Sequence, residues 1–248
     1  MRAPNWLTAR PVAHRGLHDA TRGIIENMPA AAEAAVDGNF SIECDIQLTA
    51  DGEAMVYHDD ALGRLTEGSG ALLGMTAAEL KAVKFRDTTE RMMSLGDLCA
   101  LVNGRVPLVI EVKSHFKGDR RLVGRMAEVL ASYSGPAVGM SFDPDQVLAL
   151  REKMPALPRG IVAERTYNQT DWPETTPAQR KGMLHLRHAF RTRPDFVAYW
   201  VNELPSAAPW IARNIFGLPL LTWTVRTPEQ RERARRHADQ MIFEGFRP

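Results

Sequence analysis

The feature that most constrains the fold is a regular alternation of short apolar runs with helix-forming segments, which continues from Val106 to the end of the chain. Helix starts are marked by an N-cap residue followed by proline, as at Asp143-Pro144 and Thr227-Pro228. Two further apolar runs precede this region. The predicted strands are residues 11–16, 40–49, 106–112, 137–141, 159–163, 196–201, 218–225 and 240–243. Alternating strands and helices indicate a parallel sheet.

Eight such units in 248 residues favour an α/β fold of the (β/α)8 TIM-barrel type, with an open doubly wound sheet as the alternative. We expect a single domain over residues 1–248, in which residues 53–57 form a hairpin arm. Residues 59–105 read as a small helical and loop insertion after the second strand, with helix caps at Thr76 and Ser94. The glycine-rich run at 68–74 lacks the spacing and context of a dinucleotide-binding loop.

The second predicted strand carries two acids, Glu43 and Asp45, which alternation places on the same face about 6.6 Å apart at their Cα atoms. Their mutual repulsion is on the order of 2–3 kcal/mol. Water, a basic group or a bound cation could offset it. Taken alone, the segment favours a half-exposed edge strand, because charged residues usually face solvent. Cys44 falls on the opposite face, toward the helices.

Further polar residues follow neighbouring strands. His14 and Arg15 end the first strand, His58 ends the hairpin, and Glu111 and Lys113 end the third barrel strand. Taken singly, these residues also have structural explanations. His14 could be a core histidine, His58 an exposed turn residue, and Glu111 and Lys113 a buried ion pair. Active residues of such barrels gather at the carboxyl ends of the strands, so the set together indicates an active site.

The residue types indicate a particular chemistry. Three carboxylates without a cysteine form an all-oxygen set suited to Mg²⁺ or Ca²⁺ rather than zinc. Arginine and lysine beside a divalent cation suit a phosphate group. Two histidines allow one to take a proton from the nucleophile while the other gives one to the leaving oxygen. The set therefore indicates metal-assisted phosphoester cleavage.

These residues lie in motifs that resemble those of the glycerophosphodiester phosphodiesterase family, within the phospholipase-C-like phosphodiesterase superfamily. The motifs are His14-Arg-Gly16, Glu26-Asn27, Glu43-x-Asp45, His58-Asp59 with Leu62 and Thr66-Glu-Gly68, Glu111-Val-Lys113, Met140-Ser-Phe-Asp143 and Thr222-Trp-Thr-Val225. The similarity runs from Val12 to Glu244, although residues 164–195 match nothing distinctive.

The resemblance implies an enzyme that hydrolyses glycerophosphodiesters to sn-glycerol 3-phosphate and an alcohol. It implies that Glu43, Asp45 and Glu111 bind the cation and that His14 and His58 are the acid–base pair. By the same resemblance, phosphate or its ligands are held by Arg15, Lys113 and Glu26, and Trp223 lines the pocket near the glycerol. A lysophospholipase-D-like or other phosphodiesterase activity stays open, as does a non-catalytic barrel that binds phosphate esters. Direct water attack and a cyclic intermediate are both compatible with these residues.

Two departures from the family pattern concern the substrate. Arg226 stands where the family commonly has asparagine, and residues 239–244 replace an Asp-Gly-Ile-Ile-Thr-Asp ending, with Gln240 and Phe243 bulkier than usual. A cation at Arg226 would favour a more anionic alcohol group. A solvated arginine at a helix start is the alternative that we prefer.

Composition narrows the partners. The formal net charge of +1 gives no reason to expect nucleic acid or an anionic membrane as the main partner. Two cysteines do not suggest a disulfide scaffold, and no apolar run approaches a membrane span. We expect a cytoplasmic enzyme that acts on a small-molecule phosphodiester, with no signal peptide and no stable membrane anchor. The oligomeric state is not indicated.

Overall fold

A computed structural model describes residues 3–170 and 172–248. Its strands are β1 (Val12–Ala13), β2 (Ser41–Leu48), β3 (Ala54–Val56), β4 (Ala61–Leu62), β5 (Gly70–Ala71), β6 (Leu108–Val112), β7 (Ala137–Ser141), β8 (Arg159–Ala163), β9 (Phe196–Trp200), β10 (Leu220–Val225) and β11 (Gln240–Phe243). Its α-helices are α1 (Pro29–Asp37), α2 (Ala77–Ala82), α3 (Leu95–Val102), α4 (Arg121–Leu130), α5 (Pro144–Lys153), α6 (Pro177–Leu184), α7 (Ala189–Thr192), α8 (Ala207–Asn214) and α9 (Pro228–His237).

The fold is a (β/α)8 TIM barrel. In one sheet the strands follow the order β1-β11-β10-β9-β8-β7-β6-β2-β3, and β1 also pairs with β2. That last pairing closes eight strands into a ring and leaves β3 outside it as a hairpin arm. All eight predicted barrel strands are therefore confirmed within the described residues, and the doubly wound alternative is wrong.

The chain forms two compact units. The first contains Ala13–Lys113 and Arg120–Ala137, and the second contains Ser114–Asp119 and Val138–Pro248 with the described residues up to Val12.

In the first unit, β2 pairs in parallel with β6 and antiparallel with β3. All eight residues of β2 are buried. The expectation of a half-exposed edge strand from this segment alone is therefore wrong. Strands with neighbours on both edges and packing on both faces can bury charged side chains only where other polar groups compensate them.

The first strand is shorter than expected because the chain turns sharply after Ala13. Arg15 has φ 54° and Gly16 has φ 78°, which no extended strand can contain. A Cβ atom on Gly16 would lie 2.8 Å from the backbone carbon of Ala31, so only glycine fits this close approach to α1. The helix itself begins with Pro29 in its first turn, as predicted.

The segment after β3 contains the β4–β5 hairpin and two short helices. Capping boxes open α2 at Thr76 with Glu79 and α3 at Ser94 with Asp97. A buried cluster holds the segment in place and consists of Ile25, Met28, Met55, Tyr57, Leu62, Leu72, Leu80, Phe85 and Met92. The β4–β5 pairing, Ala61 with Ala71 and Leu62 with Gly70, was not predicted because two-residue strands leave no period in a sequence.

The second unit contains β8–β11 with α5–α9. Asp143 caps α5, and Thr227 with Gln230 forms the predicted capping box of α9. Parallel pairing joins β8 to β9, β9 to β10 and β10 to β11. Phe243 on β11 is buried and packs against Phe246, so its bulk fills the core.

Among the helices of the described residues, none is both long enough and apolar enough to cross a membrane.

Candidate active site

Three buried carboxylates form the centre of the candidate site, which lies within the first unit. Glu43 and Asp45 come from β2 and Glu111 from β6, where the strand register sets Asp45 opposite Glu111. One oxygen from each side chain lies within 4.8 Å of the others. The residues are 1%, 1% and 7% exposed, respectively, so water does not offset their repulsion.

Asp45 is surrounded by cations and donors. Its Oδ1 lies 2.9 Å from Lys113 Nζ, and its Oδ2 lies 3.3 Å from Arg15 Nε. Asn27 Nδ2 also donates to Oδ2 at 2.9 Å. Burial by itself would raise the pKa of Asp45, but the attraction of Lys113 and Arg15 outweighs it and holds the pKa well below its usual value.

Glu43 is less well compensated. Its Oε2 accepts a hydrogen bond from the backbone N–H of Arg15 at 2.9 Å and lies 3.9 Å from His14 Nε2. Burial, with the nearby charges of Asp45 and Glu111, raises the pKa of Glu43 well above its usual value. Glu43 is therefore the carboxylate whose ionisation most depends on an additional positive charge.

The donor set fits a divalent cation. Lys113 also pairs with Glu111, at 2.8 Å, so the buried ion pair expected as the structural alternative is present as well. Even so, two cations, Lys113 and Arg15, stand against three carboxylates, and the uncompensated charge falls on Glu43. An all-oxygen cluster of this kind prefers hard cations. The cluster could thus hold a metal ion.

The two histidines lie beside this cluster on separate segments. His14 follows β1 directly and is buried, and His58 follows β3 at the end of the hairpin arm. Asp59 Oδ1 lies 2.8 Å from His58 Nδ1. Gln47, on the same face of β2 as the acids, donates from Nε2 to the His58 carbonyl at 2.9 Å. With its proton on Nδ1, set by the carboxylate, His58 presents Nε2 for proton transfer.

A second pair of charges extends the site. Arg15 Nη1 lies 2.7 Å from Glu26 Oε1, and Arg64 Nη2 lies 2.7 Å from the same oxygen. Burial opposes ionisation of Glu26, but Arg64 and Arg15 together lower its pKa. Glu26 is therefore an ionised carboxylate that accepts hydrogen bonds from both arginines.

The backbone around Arg15 is strained in a way that serves these contacts. Asn27, like Arg15, has a left-handed conformation with φ 58°, and its N–H donates to the Arg15 carbonyl at 2.8 Å. Such conformations cost of order 1–3 kcal/mol for ordinary residues and concentrate at functional sites. Here they turn the Arg15 and Asn27 side chains toward the same Asp45 carboxylate.

Trp223 is the one predicted site residue of the second unit. It lies on β10, is half-buried, and packs edge-to-face against Phe142 with the ring centroids 5.4 Å apart. Its indole Nε1 has no hydrogen-bond partner among the residues that the structure describes.

The structure adds three residues to which the sequence assigned no role. Asn27 and Asp59 stand next to predicted site residues, and their position in the motifs could have suggested them. Arg64 lies between Leu62 and Thr66 of a recognised motif, but its contact with Glu26, 38 positions away, leaves no local signal in the sequence.

Known proteins share this chain's sequence pattern and fold. A family model described as "Glycerophosphoryl diester phosphodiesterase family" matches residues 14–243. YhdW of Bacillus subtilis (strain 168) is 31% identical over 228 residues, which cover 86% of this chain and 85% of that protein. The glycerophosphodiester phosphodiesterase of Caldanaerobacter subterraneus subsp. tengcongensis is 26% identical over 232 residues, covering 90% and 88%.

Solved structures share the fold. The Oleispira antarctica phosphodiesterase in complex with the product sn-glycerol-3-phosphate has a TM-score of 0.76 at 18% identity, covering 94% of this chain and 91% of that one. The glycerophosphodiester phosphodiesterase of Thermotoga maritima has a TM-score of 0.70 at 22% identity, covering 94% of each. With the matched family model and the relatives in sequence, these similarities confirm the resemblance read from the motifs: the chain belongs to the glycerophosphoryl diester phosphodiesterase family.

Proposed function

We propose that this phosphodiesterase hydrolyses glycerophosphodiesters to sn-glycerol 3-phosphate and an alcohol, with the help of a divalent cation. One observation carries the proposal: three buried carboxylates, two basic side chains and two histidines converge within the first unit. The product in the Oleispira antarctica relative, sn-glycerol-3-phosphate, supports the choice of substrate.

Glu43, Asp45 and Glu111 are the proposed cation ligands, and Mg²⁺ or Ca²⁺ fits their oxygen donors. A bound cation would neutralise charge on the phosphoryl oxygens and help to orient the substrate. Arg15 and Lys113 are proposed to hold the phosphate, the first as a planar fork and the second as a point charge. Glu26 orients Arg15 by accepting from its Nη1 at 2.7 Å. Trp223 is proposed, from the family resemblance, to line the pocket beside the glycerol.

His14 and His58 are the proposed acid–base pair. One takes the proton of the attacking nucleophile, and the other gives a proton to the oxygen of the departing alcohol. Asp59 supports this role of His58 because it accepts from Nδ1 and stabilises the ring when Nε2 is protonated. His14 Nε2 lies 3.9 Å from Glu43 Oε2, beside one of the proposed cation ligands.

We also propose that residues 1–248 act as a single domain, with residues 59–105 as an insertion. We further propose that the enzyme works in the cytoplasm on a small diester rather than on nucleic acid. The net charge of +1 supports the last point, because a nucleic-acid enzyme usually presents a strongly basic surface.

A panel of metals and substrates tests the function. Purified protein stripped with a chelator is assayed with Mg²⁺, Ca²⁺ or neither, on glycerophosphocholine, glycerophosphoethanolamine and a lysophospholipid, and the products are identified. We expect cation-dependent release of glycerol 3-phosphate. His14→Ala and Glu43→Ala should keep the fold by circular dichroism and lose this activity, whereas His185→Ala, at an exposed histidine, should keep it.

Other outcomes would change the conclusion. Turnover of the lysophospholipid alone would favour a lysophospholipase-D-like activity. Cation-dependent binding of a glycerophosphodiester without any product would favour a phosphate-ester-binding barrel. Full activity in either the His14 or the Glu43 variant would contradict the proposed mechanism.

A further inference from the structure

Six side chains of the first unit, five charged residues and His58, form a continuous chain of ion pairs and hydrogen bonds. The links are Asp45–Arg15 at 3.3 Å, Arg15–Glu26 at 2.7 Å, Glu26–Arg64 at 2.7 Å, Arg64–Asp59 at 2.6 Å and Asp59–His58 at 2.8 Å. One end of the chain is a proposed cation ligand, and the other end is a proposed acid–base histidine. Arg64, which joins Glu26 to Asp59 within this series, belongs to the proposed insertion.

Arg64 meets its two carboxylates with the geometry of a fork. Nη1 and Nη2 donate to the two oxygens of Glu26 at 3.2 Å and 2.7 Å, and Nε and Nη2 donate to the two oxygens of Asp59 at 2.6 Å and 3.0 Å. These hydrogen bonds raise the pKa of Arg64 and keep it charged. A planar guanidinium can donate to both oxygens of each carboxylate at once, whereas the Lys113 ammonium joins its two carboxylates through one oxygen of each.

The loop that carries Arg64 is held firmly. Gly63 N–H donates to Thr66 Oγ1 at 3.0 Å, and Thr66 is fully buried. Leu62, just before the loop, packs in the cluster that also contains Tyr57, the residue preceding His58. The same apolar contacts therefore hold together the backbone segments that carry the arginine and the histidine.

We propose that Arg64 is a positioning residue for the phosphodiester hydrolysis. Glu26 anchors the Arg64 guanidinium, and Arg64 in turn fixes the Asp59 carboxylate so that one oxygen faces His58 Nδ1. Arg64 does not itself contact the substrate. This inference rests on the proposed function, because it assigns Arg64 a task in that reaction.

A positioning role differs from a structural one in what its loss changes. If Arg64 only fastened the loop, its removal would lower stability and leave the turnover of the folded enzyme unchanged. If it orients Asp59 and thus His58, its removal lowers kcat with little change in KM. Losing the support of a group that orients a reacting side chain costs about 10- to 100-fold in activity.

The experiment compares Arg64→Gln, Arg64→Lys and a matched control, Arg86→Gln, in the full-length enzyme with saturating cation. Arg86 donates to the Gly63 carbonyl at 3.2 Å, so it holds the same loop without contacting Glu26 or Asp59. We expect Arg64→Gln to lower kcat by about 10- to 100-fold, with KM nearly unchanged. Arg64→Lys should recover part of the loss, and Arg86→Gln should behave as wild type.

A double variant identifies the route. If Arg64 acts through Asp59, Arg64→Gln combined with Asp59→Asn should be no slower than Asp59→Asn alone. Equal kcat in Arg64→Gln and Arg86→Gln, or a double variant that shows the full product of the two single losses, would contradict the inference. Those results require an active wild type, so they leave the proposed function standing. A wild type that releases no glycerol 3-phosphate would contradict both.

Discussion

The Lys113 ammonium lies 2.9 Å from Asp45 Oδ1 and joins that carboxylate to Glu111, so one lysine compensates two of the three clustered acids. Burial opposes the charge on Lys113, but Asp45 and Glu111 outweigh it and raise its pKa above the usual value. The same lysine therefore supports the fold without a bound cation and supplies a positive charge to the site.

Replacing Lys113 by methionine should separate these two effects. The variant leaves buried carboxylates without their partner, which typically costs about 3–5 kcal/mol in the free energy of unfolding. We expect a loss of that size by urea unfolding with a chelator present, partly recovered on adding Mg²⁺ or Ca²⁺, together with loss of hydrolysis. Lys117→Met, at a lysine whose side chain is 70% exposed, is the control and should change neither property. Equal metal-free stability of Lys113→Met and wild type would refute this account.

Glu43 should control how strongly a divalent cation stabilises the protein. Because the pKa of Glu43 is raised, a proton competes with a cation for this carboxylate, and cation affinity should increase with pH. Because the native protein binds this proton more tightly than the unfolded chain does, Glu43 contributes its full stabilisation at pH values below its pKa in the unfolded chain. That stabilisation is lost as the pH rises through the pKa of Glu43 in the native protein, unless a cation replaces the proton.

Differential scanning fluorimetry with and without Mg²⁺ or Ca²⁺ measures the effect. A cation at a hundred times its dissociation constant stabilises by about 2.7 kcal/mol, and the resulting rise in Tm should be larger at pH 8 than at pH 6. Glu43→Gln should show a much smaller rise. Glu67→Gln, at an exposed acid of the same unit, should respond as wild type. A Glu43→Gln response as large as that of wild type would exclude Glu43 as a ligand.

The sequence predicted the barrel and the acidic cluster because both depend on short-range patterns. Strand alternation put Glu43 and Asp45 on one face, and the gathering of strand ends brought Glu111 to them. Applied to β2 alone, the same short-range reasoning favours a half-exposed edge strand, because burial depends on neighbours that are distant in sequence; only His14, His58 and Glu111 reverse that interpretation. It also extended the first strand through Arg15, whose left-handed backbone only the contacts with Glu43 and Asn27 explain.

Pairings between separate loops could not be predicted. No local pattern indicates that Arg64 meets Glu26, because the two residues lie 38 positions apart on separate loops. Likewise, Arg226 and the altered ending of the last strand looked like two independent departures from the family pattern. In the structure Arg226 Nη2 lies 2.9 Å from Glu244 Oε2, so the two departures contact each other. The Arg226 side chain is 51% exposed, as expected for a solvated arginine, but it also forms an ion pair with Glu244.

This pairing predicts that Arg226 has little influence on substrate choice. Because Glu244 neutralises it, Arg226→Asn should not alter the preference between glycerophosphocholine and the anionic glycerophosphoglycerol. An exposed pair contributes no more than about 1 kcal/mol, so a double-mutant cycle with Glu244→Gln should give a coupling energy below that value that shrinks with added salt. A large, selective loss of kcat/KM for the anionic substrate would instead show that Arg226 binds it.

Trp172 should keep the segment after β8 ordered. Its ring contacts those of Phe142, Tyr167 and Phe116 at centroid distances of 4.9, 5.1 and 5.9 Å, and its Nε1 donates to Glu164 at 2.8 Å. Each aromatic pair contributes about 0.5–1.5 kcal/mol beyond area burial.

Trp172→Ala should therefore speed amide hydrogen exchange over residues 164–168 while exchange in the barrel strands stays slow. Trp210→Ala serves as the control, because Trp210 is 54% exposed. Unchanged exchange over residues 164–168, or an equal increase throughout the sheet, would contradict a local role for Trp172.

His188 should make the protein less stable at mildly acidic pH. Burial, with a smaller effect of Arg191, lowers the pKa of His188 from its ordinary 6.5 to about 4, and neither ring nitrogen has a hydrogen-bond partner among the described residues. The unfolded chain thus binds the proton more readily than the native one. This contribution to stability is complete above the unfolded pKa and is lost as pH falls toward 4. At pH 5 the loss is about 2 kcal/mol.

His188→Leu should remove that part of the pH dependence of stability, measured by urea unfolding at pH 7 and pH 5. His185→Leu, at an exposed histidine, should retain it. A His188→Leu variant that loses as much stability as wild type between these pH values would show that the native protein accommodates the charged ring.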